Sequence, residues 1–110
     1  MHETPLPDGQ FPADILVVDD ELSMRQFLQI LLERNGYRVE TASSGEDALV
    51  LLEARDFDLV MTDLSMPGID GMELVRRIRS GTAVQHDAEV PIIMITAHGT
   101  VHTAVEALKL

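Results

Sequence analysis

Four short apolar runs rich in β-branched residues punctuate the chain: Ile15 to Asp19, Arg38 to Ala42, Leu59 to Asp63 and Ile92 to Thr96. Their length and continuity predict buried strands. Each is followed by a helical pattern. After the first, Met24, Phe27, Leu28 and Leu31 recur at helical spacing up to Asn35-Gly36, where glycine suits a left-handed helix stop. After the second, Ser43 and Glu46 have the spacing of a capping box, and Ala48, Leu51 and Leu52 supply the apolar stripe. Asp70 is placed to cap a third helix carrying Leu74, Val75 and Ile78, and a fourth carries Val101, Ala104, Val105 and Leu108.

A βα unit repeated four times predicts an open α/β fold. Right-handed crossovers put helices on both faces of a parallel sheet, which is why the strands read as continuous rather than alternating apolar runs. In such sheets the functional crevice lies beyond the carboxyl ends of the strands. Asp19, Asp20, Asp63 and Thr96 stand there.

Composition narrows the function classes. The 110 residues, 45% hydrophobic, suffice for one packed core. Residues 1 to 13, with three prolines, Glu3 and Asp8, read as a short flexible leader and not as a secretory signal, leaving residues 14 to 110 as the domain. No apolar run approaches the roughly 20 residues that cross a bilayer, so a soluble protein without membrane contact is expected. The absence of cysteine excludes disulfides, thiolate metal sites and thiol nucleophiles, and suits a cytoplasmic location. A net charge of -11 would repel a phosphate backbone, so no nucleic acid binding is expected of this domain.

Three carboxylates at neighbouring strand ends are costly. At an effective dielectric of about 20, two like charges roughly 5 Å apart repel by about 3 kcal/mol. A cation should offset this, and oxygen ligands alone favour Mg²⁺. A carboxylate facing a metal-polarised phosphoryl donor can act as nucleophile and form an acyl phosphate. Any one aspartate at a strand end is more simply a cap or loop residue; their convergence on one crevice points to chemistry.

The segments Ile15 to Glu21, Asp58 to Gly68 and Pro91 to Gly99 resemble the signature segments of receiver domains of bacterial two-component response regulators, and the likeness runs in order from Asp14 to Leu110. The resemblance implies a flavodoxin-like (CheY-like) doubly wound parallel sheet of strand order 2-1-3-4, with the fifth βα unit missing. It also implies a site: Asp63 as phosphorylation residue, Mg²⁺ bound by Asp19 or Asp20 together with Asp63 and the backbone carbonyl of Ser65, and Thr96 and Ala97 as switch positions. A sensor histidine kinase as donor and an output domain as recipient follow. Thr96 to Thr100 and Thr103 to Lys109 resemble more narrowly receivers of the NtrC type, which implies a role in transcription regulation.

Receivers also carry a lysine at the end of a fifth strand. Lys109 falls in the fourth helical pattern and does not match it, so no catalytic lysine is assigned. An uncovered fourth strand predicts self-association. Two other functions compete: a truncated receiver used only for protein contacts, and a Mg²⁺-dependent phosphatase with Asp19 as nucleophile. The second would want an aspartate two residues on, where Glu21 stands. His98 and His102 have the spacing of paired metal ligands but lack a third, and read as surface or helix-start residues. Met24, Met61 and Met94 read as core fillers.

Overall fold

The computed structural model describes residues 12–81 and 88–95. Within them the order is β1 (Asp14–Val18), α1 (Leu22–Arg34), β2 (Arg38–Ala42), α2 (Gly45–Ala54), β3 (Leu59–Asp63), α3 (Gly71–Ser80) and β4 (Ile92–Ile95). The four strands form one parallel sheet in the order β2-β1-β3-β4. The strands and helices expected for these stretches are thus present, while the fourth helical pattern and Thr96 lie outside the described residues.

The two-residue period of β1 divides the core. Leu16 and Val18 join Val60, Ala48, Leu52, Leu74 and Ile78 on the face covered by α2 and α3. Ile15 and Val17 point the other way and meet Leu28 of α1, with Met24, Leu32 and Met61 packed around them. Both faces are therefore covered, which explains why β1 is apolar at four successive positions.

Two local expectations are corrected. The inward stripe of α1 is Met24, Leu28 and Leu32, whereas Phe27 and Leu31, expected inside, are 60% and 45% exposed. Apolar side chains occupy so much of this helix that spacing alone admits two rotations about its axis; packing against Ile15 and Val17 selects one. The cap of α2 is displaced by one residue from the expected Ser43 and Glu46. Ser44 Oγ accepts from the Asp47 amide at 3.1 Å. The caps at Asp70, which accepts from the Glu73 amide at 2.8 Å, and at Gly36, with φ 90°, are as expected.

At the amino end of the sheet Asp14 joins three elements. Its carboxylate meets Arg38 at 2.7 Å and Arg55 at 2.9 Å, and its amide donates to Asp58 Oδ2 at 2.7 Å. Arg55 in turn lies over the Phe57 ring, 4.8 Å from its centroid. This cluster fixes the end of the sheet remote from the acidic residues.

Candidate functional site

Strand register assembles the acidic cluster. Val18 pairs with Thr62 in the parallel β1–β3 ladder, so one further residue on each strand sets Asp19 beside Asp63. The flanking β1–β2 and β3–β4 ladders extend at this end: the Asp19 amide donates to the Ala42 carbonyl and the Leu64 amide to the Ile95 carbonyl, both at 3.1 Å. Asp20 follows Asp19 at the turn into α1. One oxygen from each of Asp19, Asp20 and Asp63 lies within 4.8 Å of the others. This acidic cluster could hold a metal ion, and its donors are all hard oxygens.

The three carboxylates are not equivalent. Asp19 is only 5% exposed, and its Oδ1 accepts from the Glu21 amide at 2.9 Å. Asp20 is exposed, and Asp63 is half-buried between them. Burial pushes the Asp63 carboxyl above the usual carboxylate range; the Ser65 amide works against this, while the charges of Asp19 and then Asp20 add to the rise. Burial first, and the neighbouring carboxylates after it, thus work against ionisation of Asp63, and a cation would offset the part due to charge.

Further contacts hold this geometry, those of Arg25 and Thr62 being ones that the sequence pattern did not single out. Arg25 Nη1 donates to the Asp19 carbonyl at 2.7 Å, tying the first turn of α1 to the end of β1. Thr62, fully buried, donates through Oγ1 to the Asp63 carbonyl at 3.0 Å. Gly71 opens α3 directly against that same carbonyl, and its amide donates to the Leu64 carbonyl at 2.9 Å. The signal for Gly71 was present: a glycine in the first turn of a helix is a poor helix former, retained here because a side chain would not fit. Ser65 is exposed and donates its amide toward Asp63 Oδ1 at 3.4 Å. Thr96, Ala97, His98, His102 and Lys109 lie outside the described residues.

The family model of the response regulator receiver domain matches residues 15–110. This chain belongs to the response regulator receiver family. Among curated relatives, the receiver domain is 43% identical over 97 residues to the transcriptional regulatory protein ZraR of Klebsiella oxytoca, which covers 88% of this chain and 21% of that protein. Among solved structures, the receiver domain of the Francisella response regulator 1452 has a TM-score of 0.78 at 29% identity, over 88% of this chain and 76% of that one. NtrX from Brucella abortus has a TM-score of 0.78 at 37% identity, over 90% of this chain but 22% of that one. The receiver domain therefore spans about a fifth of the length of ZraR. The narrower likeness to NtrC-type receivers agrees with these matches, and the CheY-like sheet order 2-1-3-4 is shared with the structural neighbours.

Proposed function

We propose that this receiver domain takes a phosphoryl group from a phosphohistidine of a sensor kinase onto Asp63 and relays the change to an output domain that regulates transcription. The observation that carries this is the inequality of the three carboxylates. Asp19 is buried with one oxygen engaged by the Glu21 amide, whereas Asp63 is partly open and flanked by both other acids. The phosphatase reading needs Asp19 as nucleophile, and this geometry disfavours it.

In the transfer, an Asp63 carboxylate oxygen bonds to phosphorus as the phosphorus–nitrogen bond of the donor breaks. The imidazole nitrogen leaves with the electron pair and is protonated from solvent, and Asp63 becomes an acyl phosphate. Asp19, Asp20, Asp63 and the Ser65 carbonyl would hold Mg²⁺, which when bound supplies neutralising charge to the phosphoryl oxygens. Asp19, fixed by the Arg25 guanidinium and the Glu21 amide, keeps its carboxylate beside the acceptor. Burial and, after it, the charges of Asp19 and Asp20 disfavour the ionised Asp63, so neutralising those charges makes the nucleophile more available. Thr96 and Ala97 are carried from the family resemblance as the switch residues that respond to the phosphoryl group. The domain is a signalling module that turns over no separate substrate and acts at most on its own phosphorylation and dephosphorylation. Cytoplasmic location fits the partners, and among the described residues no helix is long and apolar enough to cross a membrane.

The test is incubation with acetyl phosphate and Mg²⁺, followed by intact-mass measurement of the wild type, Asp63→Asn and Asp19→Asn. One added phosphoryl group, lost in Asp63→Asn, is expected. Steady phosphate release that depends on Asp19 would instead support the phosphatase, and no modification at all would support a module used for protein contacts alone.

A further inference from the structure

Glu46, the second residue of α2, is not the cap of its own helix. Ser44 already caps it by accepting from the Asp47 amide. Glu46 instead reaches across 23 residues of sequence, and its Oε1 accepts from the Ile69 amide at 3.2 Å, in the loop that joins the acceptor strand β3 to α3. Two glycines make room for this contact. Gly68 has φ 73°, a conformation that glycine adopts freely, and a Cβ there would stand 2.7 Å from Glu46 Oε2. A Cβ on Gly45, beside Glu46, would lie 2.8 Å from the Ile69 carbonyl oxygen.

The loop from Leu64 to Asp70 is fixed at its start, where the Leu64 amide donates to the Ile95 carbonyl and the Ser65 amide faces Asp63, and at its end by the Asp70 cap. Between these points Pro67 has no amide to donate. The Glu46 carboxylate supplies a hold at Ile69, next to this stretch.

We propose that Glu46 is a positioning residue: by holding the Ile69 amide, it keeps the loop, and with it Ser65, in register with the Asp19, Asp20 and Asp63 cluster. This rests on the reading of Asp63 as a metal-assisted phosphoryl acceptor. A loop held in place before the ion arrives loses less freedom on binding, so affinity rises without any contact between Glu46 and the ion. Because the hold is a hydrogen bond to an acceptor oxygen, an amide in place of the carboxylate should preserve it.

The test compares the full chain with Glu46→Ala and Glu46→Gln. Hydrogen exchange of the Ile69 amide, measured without metal, should quicken by about tenfold in Glu46→Ala, as expected for local opening. Mg²⁺ affinity, followed by the amide shifts of Asp63 and Ser65, should weaken about three- to tenfold in Glu46→Ala, the scale of one hydrogen bond. Glu46→Gln should stay within about twofold of wild type in both, since an exposed charge is screened. Circular dichroism confirms that the variants remain folded. Unchanged exchange and affinity in Glu46→Ala would overturn the proposal, and so would equal losses in Glu46→Gln, which would make the charge and not the bond responsible. A wild type that binds Mg²⁺ yet accepts no phosphoryl group would overturn the acceptor reading while leaving these two measurements valid.

Discussion

Gly71 lies against the main-chain carbonyl of Asp63 so closely that a methyl group in its place would overlap that oxygen. The same added carbon would stand 2.8 Å from Met94 Sδ and 2.9 Å from the Leu64 Cα, so the start of α3, the end of β3 and β4 meet at one point with no spare room. The helix can dock there only because its first residue has no side chain.

Gly71→Ala should therefore destabilise the fold by about 1–3 kcal/mol, the usual range for an overfilled core, although alanine is the better helix former. Urea denaturation measures this. A variant as stable as the wild type would show that α3 can move away from Asp63 at little cost.

The acidic cluster makes a prediction about pH. The folded-state pKa of Asp63 is raised above its unfolded value, so between the two the native state binds more protons and stability falls as pH rises. Without metal and above that raised pKa the ionised Asp63 is a liability, and Asp63→Asn should melt higher than the wild type. The difference should shrink as pH falls through the raised pKa and vanish below the ordinary carboxylate value of 3.8. Thermal melts across pH in chelator-treated buffer check both the sign and the window.

Mg²⁺ should reverse that order. An ion that binds only the folded state stabilises by about 2.7 kcal/mol at a hundred times its Kd. The wild type should gain melting temperature with added Mg²⁺ and Asp63→Asn should gain less, since one of its three clustered carboxylates is gone. Equal gains in both proteins would place the ion elsewhere.

Much of this arrangement could be read from the sequence, and the parts that could not share a cause. β1 and β3 announced themselves through continuous apolar runs because both of their faces are covered, and the aspartates that end those runs were legible with them. At α2, Ser43 with Glu46 and Ser44 with Asp47 have the same spacing, and the second pair forms the cap, which frees Glu46 for Ile69. At α1, apolar residues at 27, 28, 30, 31 and 32 left the inward face open until the helix met the sheet. The contacts of Arg25 with Asp19, Glu46 with Ile69 and Gly71 with Asp63 depend on how one element docks against another, which no local period records.

The far end of the sheet offers a control. Asp14 carries two ion pairs with little solvent around it, so Asp14→Ala should cost about 1–2 kcal/mol, between the values of exposed and buried pairs. It lies about 15 Å along the strand from the cluster. Mg²⁺ affinity in this variant should match the wild type while urea stability falls; a parallel loss of both would mean that the site depends on global stability and not on its own residues.

The central claim is that Asp63 itself becomes the acyl phosphate, and borohydride trapping reads it directly. The protein is incubated with acetyl phosphate and Mg²⁺, reduced with borohydride, and digested for mass spectrometry. Conversion of residue 63 to homoserine, with Asp19 and Asp20 unaltered, is the predicted result; homoserine at Asp19 or Asp20 with residue 63 still aspartate would contradict it.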